Sequence, residues 1–286
     1  MAMRGDYVLG ANEAEVVRLG QQHQAWRETV LGAWRRAGLQ IGSRVVDVGA
    51  GPGWATWDLA EAVGPRGEVL AVERAELFVA ALEAGRARRE LPQVQVLAGD
   101  LMQLPARSDY DLVWCRWVAS FTPSVPRLVR WIHDTLKPGG RVVFHEYAAY
   151  GTWQFAPPRA PLQAFVAEVM ASWRASGGEP DVAATVVAAV REVGLSVQSS
   201  RPLAFVTRPG DPTWRWPAGF VESNVTRLVE LGRVSSEWGM AVLQELAQAE
   251  ADSSSLMLTP LVLEVIAERP AVRAFNTPNE PRAPAT

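Results

Sequence analysis

The chain has 286 residues, 48% of them hydrophobic and 21% charged, with a formal net charge of -3 at pH 7. That length supports a full α/β core, one domain with a helical elaboration, and the near-neutral charge without a basic block argues against nucleic acid or an anionic membrane surface as partner. Cys115 is the only cysteine, which excludes an internal disulfide; His23, His133 and His145 are too scattered for a metal site, and no apolar stretch of membrane-spanning length is free of charges.

In chain order, apolar residues at helical spacing predict a leading helix over 12–37, with Asn12 as its cap and Gly38 as its stop. Val45-Val46-Asp47-Val48 reads as a buried strand opening into Gly49-Ala50-Gly51-Pro52-Gly53, and a helix over 54–63 follows. A second strand, 69–72, ends at Glu73; a helix runs from Leu77 to Leu91; a third strand, 94–97, ends at Gly99-Asp100. Residues 110–115 form a fourth strand, a helix continues to Leu136, and Lys137-Pro138-Gly139-Gly140 turns into a fifth strand, 141–146. Such alternation with short connections predicts a mostly parallel sheet covered on both faces. Beyond residue 148 the pattern changes: helices are expected at 161–175, 181–193, 214–231 and 235–250, extended segments at 195–200 and 203–207, and a last strand at 261–267. The proline-rich 270–286 has little to bury and reads as a flexible tail.

In an open α/β sheet, ligands gather beyond the carboxyl ends of the strands. Gly49 to Gly51, Glu73, Asp100 and Arg116 stand at four such ends, so they converge on one edge. A carboxylate at Glu73 suits a ribose diol, and Asp100 with Leu101 and Met102 suits an adenine ring. The GxGxG spacing departs from the GxGxxG of dinucleotide sites, because position 54 is Trp, and no GKS or GKT ending follows for a phosphate loop.

The motifs VVDVGAGPG, VLAVER, AGDLMQLP, YDLVWCRWV and LKPGGRVVFHEY resemble those of the class I S-adenosylmethionine-dependent methyltransferases over about residues 40–147. The resemblance implies a Rossmann-like, seven-stranded α/β sheet whose last strand is antiparallel, with S-adenosylmethionine as cofactor. By position it implies that Gly49, Gly51 and Gly53 border the methionine part, that Asp47 steadies the glycine loop or meets the cofactor ammonium, that Arg116 contacts the methionine carboxylate or the loop around it, that Glu73 binds ribose, and that Asp100 and Leu101 frame adenine. A lid over 1–39 would bring Gln22, His23 and Trp26 towards the site, and a domain over 40–269 would carry helical cap insertions at about 148–180 and 209–253.

The expected reaction is methyl transfer to an O, N or C atom of a small, partly hydrophobic or aromatic metabolite, which would be the partner. His145 is the candidate general base and Tyr147 a polar contact to the acceptor, beside Glu146 and Tyr150. Among 12 tryptophans, those at 117, 153, 214, 216 and 238, with Phe121, Phe155 and Phe220, offer an apolar inventory for a closed cavity or for packing. The alternatives are a noncatalytic binding or assembly protein and a methyltransferase for protein or RNA. A cytoplasmic location is expected, no metal or membrane is called for, and a homodimer stays open.

Overall fold

The structure, a computed structural model, describes residues 12–271. Nearly all of the expected tail, and the first eleven residues of the expected lid, lie outside the described residues. Helix α1 (Glu13–Arg36) starts where Asn12 accepts a hydrogen bond from the Glu15 N–H at 2.8 Å. The Rossmann-like half is β1 (Arg44–Val48), α2 (Trp54–Val63), β2 (Glu68–Glu73), α3 (Glu76–Arg89), β3 (Val94–Ala98), β4 (Tyr110–Arg116), α4 (Val125–Thr135) and β5 (Leu136–Ala149). Then come β6 (Gln154–Ala156), α5 (Ala160–Ala175), α6 (Ala183–Glu192), β7 (Ser196–Leu203), β8 (Val206–Thr207), α7 (Arg215–Glu230), α8 (Ser236–Ala251), β9 (Leu256–Leu258) and β10 (Leu261–Glu268).

Seven strands form the main sheet in the order β3-β2-β1-β4-β5-β10-β7, and β10 is antiparallel to both of its neighbours. Its interior follows the two-residue period of strands. Val45 and Val69 pack with α1 and α2, whereas Val46, Val48, Leu70 and Val72 face the layer of α4 and α6. Helices α5, α7 and α8 join the α1 side, where Trp26 touches Trp216 edge to face at 4.9 Å.

Two features depart from expectation. Strand β5 begins at Leu136, because Leu136 already pairs with Tyr110 and the Gly139 N–H donates to Arg269; the Lys-Pro-Gly-Gly segment is thus tied into the ladder. A second sheet, β6-β9-β8, joins three segments far apart in sequence, and its two- and three-residue strands carry no periodic signal.

Candidate functional site

The strand order reverses between β1 and β4, and there a cavity of about 240 Å³ opens. It is bordered by Gln22, Asp47, Gly49, Gly51, Glu73, Asp100, Leu101, Arg116 and Tyr147, which the sequence singled out. Gly49 leaves β1 at φ +63, and a Cβ there would lie 2.6 Å from Val118, so the loop and the segment after β4 can meet only at a glycine. The Glu73 carboxylate fixes the loop from the next strand: Oε2 accepts from the Gly51 N–H, and Oε1 accepts from those of Arg74 and Ala75, each at 2.8 Å. Asp100 caps the turn that follows it, accepting from the Met102 N–H at 2.9 Å, while its carboxylate stays exposed.

Gly53 takes a different part. Its φ is +97 and a Cβ would fall 2.5 Å from the Trp57 ring and 2.7 Å from Leu82. It does not border the cavity; it lets α2 start against α3, which corrects the expectation of a cofactor contact.

Two charged groups lie under the cradle. Asp47 is buried and accepts from the Thr56 hydroxyl at 2.7 Å, and burial pushes its carboxyl up to about 7. Arg116 lies over the Trp114 and Trp117 rings at 5.6 and 5.0 Å, and desolvation lowers its guanidinium to about 10, with Asp47 opposing that fall. Arg116 Nη2 donates to His23 Nδ1 at 3.1 Å, but Nη1 is shielded from water without a partner. An unpaired guanidinium nitrogen at a cavity edge fits the carboxylate of an amino-acid ligand.

The raised Asp47 carboxyl has a measurable consequence. Between the ordinary value of 3.8 and about 7 the folded chain keeps a proton that the unfolded chain has released. Its contribution therefore weakens stability progressively as pH rises through that window. Asp47→Asn should narrow the gap in unfolding free energy between about pH 5 and about pH 8 by about 2 kcal/mol, read from urea denaturation at each pH.

Part of the cavity wall is aromatic: Trp117, Phe121, Tyr147, Trp173 and Phe220 border it. Trp117 stacks on Tyr147 at 5.4 Å and 16°. Trp117 holds φ +54, a left-handed conformation that costs a non-glycine residue about 1 to 3 kcal/mol. Glu146 offsets this from beneath. Its Oε1 accepts from the Val118 and Ala119 N–H groups at 2.9 Å each, and Oε2 accepts from the Ser120 hydroxyl at 3.3 Å. Burial raises this carboxyl to about 7.

His145 is not at the cavity, which overturns the expectation of a general base. It is 0% exposed, covered by Trp114 and Trp26, and its Nε2 lies 3.1 Å from Glu264, which also accepts from Arg36. The reason is register: His145 pairs with Arg116, the last residue of β4, whereas Tyr147, on the same face, extends beyond that strand end. Burial lowers the His145 imidazole. Trp153, Phe155, Trp214 and Trp216 are packing residues in the α1-side core, and Trp238 packs at its margin.

The sequence reading missed Arg18 and Trp173, both of which border the cavity. Arg18 lies buried on α1, donating from Nε and Nη2 to Glu15 at 2.7 and 2.6 Å and from Nη1 to Gln22 at 3.1 Å. The available signal was the spacing of Glu15, Arg18 and Gln22, three and four residues apart, which puts the three polar side chains on one face of the helix. Among the described residues no cluster of His, Cys, Asp and Glu could hold a metal ion, and no helix is long and apolar enough to cross a membrane.

Comparison with known proteins agrees with this geometry. A family profile described as a methyltransferase domain matches residues 45–140. Demethylmenaquinone methyltransferase of Geobacillus kaustophilus is 35% identical over 125 residues, which are 43% of this chain and 52% of the relative. The chain thus matches about half the length of its curated relatives. Geranyl diphosphate C-methyltransferase of Streptomyces coelicolor A3(2) aligns over 92% of this chain and 86% of its own at TM-score 0.57 and 13% identity. The 4+2 cyclase SpnF aligns over 86% and 81% at TM-score 0.55 and 18% identity. At such identities the likeness is one of fold. The domain match over residues 45–140, the strand order and the cradle at the switch point together show a methyltransferase domain with the class I fold.

Proposed function

We propose that the chain transfers a methyl group from S-adenosylmethionine to an O, N or C atom of a small, partly hydrophobic or aromatic acceptor. The observation that carries this reading is one cavity bordered both by Gly51, Glu73 and Asp100 and by Trp117, Tyr147, Trp173 and Phe220. Glu73 holds the ribose hydroxyls, Asp100 and Leu101 frame the adenine, and Arg116 Nη1 pairs with the amino-acid carboxylate beside Asp47 and Gln22. When bound, the cofactor supplies an electrophilic methyl group open to in-line attack. The chain's own share is alignment and exclusion of water: Trp117 and Tyr147 flank the acceptor, and the aromatic wall keeps the polar contacts strong. With His145 sealed behind Trp114, no general base is assigned. A relative named for demethylmenaquinone and a neighbour crystallised with geranyl diphosphate support an acceptor with a large apolar part.

The test titrates purified protein with S-adenosylhomocysteine, then incubates it with labelled S-adenosylmethionine and extracts of its source, identifying the product by mass. A Cβ on Gly51 would meet only Leu19, at 3.9 Å, so the added bulk of Gly51→Val enters the cavity at a left-handed φ and should abolish both signals. No affinity for S-adenosylhomocysteine would overturn the reading. Affinity without product would favour a noncatalytic binding protein.

A further inference from the structure

His23 is the third histidine of interest, and the aromatic cavity does not account for it. It lies buried on α1 and does not border the cavity; it stands behind Arg116, facing the groove between α1 and α2. Its two ring nitrogens have different partners. Arg116 Nη2 lies 3.1 Å from Nδ1, and Asp58 Oδ2 lies 3.0 Å from Nε2. An arginine can only donate, so Nδ1 is the acceptor and the proton sits on Nε2, directed at Asp58. Arg27 donates to the same carboxylate through Nε at 2.8 Å and Nη2 at 3.1 Å, closing a chain from the lid helix through α2 to β4.

The consequence for Arg116 is geometric. A guanidinium resting over Trp114 and Trp117 can still turn within its plane. The bond from Nη2 to His23 removes that freedom and leaves Nη1 as a buried nitrogen without a protein partner. We propose that His23 is a positioning residue: through its Nδ1 lone pair it aims Arg116 Nη1 at the carboxylate of the methyl donor, so that donor affinity depends on α1 being docked. The inference rests on the assignment of Arg116 in the proposed function. It adds a role for the lid that needs no contact between His23 and the donor.

Two near-isosteres separate this role from a merely structural one. Asparagine puts an acceptor near the place of Nδ1 and gives up the Asp58 contact; glutamine puts a donor near the place of Nε2 and gives up the acceptor facing Arg116. The probes are S-adenosylhomocysteine, which carries the carboxylate, and methylthioadenosine, which lacks it, titrated calorimetrically into each full-length variant. His23→Asn should bind S-adenosylhomocysteine within about twofold of the parent, while His23→Gln should bind it about tenfold more weakly, the scale of one charge-assisted hydrogen bond. Methylthioadenosine affinity should be the same in all three. Adding His23→Gln to Arg116→Ala should cause no further loss, because the two act as one unit.

The reverse order of the two variants, equal effects, or parallel losses for both probes would overturn the proposal, since each is the result of tethering α1 to α2 alone. A parent protein that binds neither probe would instead overturn the proposed function and the inference with it. A parent that binds both, with variants indistinguishable from it, would overturn the inference only.

Discussion

Glu73→Ala should weaken S-adenosylhomocysteine binding by about thirtyfold or more, with only a modest change in unfolding free energy. The carboxylate has two tasks in the proposed site: it holds the Gly51 and Arg74-Ala75 N–H groups, and it faces the ribose. Charge-assisted hydrogen bonds of this kind contribute about 1.5 to 3 kcal/mol each. The freed N–H groups sit at a cavity edge where water can reach them, so the loss falls on binding more than on folding. Glu73→Gln should be nearly as poor as alanine, an outcome specific to this geometry. Each oxygen already accepts from a backbone N–H, so the amide NH₂ must face a donor whichever way it turns. Isothermal titration decides the matter; a glutamine variant with parental affinity would mean that the carboxylate does not hold the loop.

Glu146→Ala should lower the unfolding free energy by about 3 kcal/mol and abolish methyl transfer, because it strips the segment after β4 of its anchor. The Ala119 N–H and the Ser120 hydroxyl would then lie buried without an acceptor, and the part-buried Val118 N–H would lose its own, at about 1 to 3 kcal/mol for each buried group left unpaired. The same segment carries the left-handed Trp117, so its release would also misplace the ring that stacks on Tyr147. Glu146→Gln should fall between the parent and alanine: its oxygen can take both N–H donors while its nitrogen donates to the Ser120 hydroxyl. Urea denaturation followed by tryptophan fluorescence measures the first effect and labelled-methyl incorporation the second. An alanine variant of parental stability would show that the Trp117 N–H bond to His145 holds the loop by itself.

The sheet was legible because its strands announce themselves. Val45 to Val48 and Val69 to Val72 are short valine-rich runs that end at Gly49 and Glu73, Val142 to Phe144 is a third that ends at His145, and the order of the strand ends carries the cradle with it. Glu73 and Asp100 could be placed from chain position alone, since the carboxyl edge of a parallel sheet is common to all its strands. Depth along a strand was not legible. His145 and Tyr147 share a face of β5, and only the register with Arg116 tells which is roofed by Trp26 and which reaches the cavity. The same holds for the aromatic residues: helical spacing says that Trp173 and Trp216 are buried, but only the packing of α5 and α7 sends one to the cavity wall and the other behind it. Arg18 escaped notice because its charge looks like surface until Glu15 and Gln22 are seen to close around it.

The position of β10 also sets an order of events during synthesis. Strand β7 pairs only with β10 in the main sheet, and β10 inserts between it and β5, antiparallel to both. A nascent chain that has delivered everything up to α8 therefore still presents two open strand edges. It also holds His145 and Arg36 without the Glu264 carboxylate that joins them. Arrival of residues 261–268 closes both edges and brings the Glu264 carboxylate to His145 and Arg36 in one step, so a chain that stops short of β10 should leave two sheet edges open to pairing with other chains.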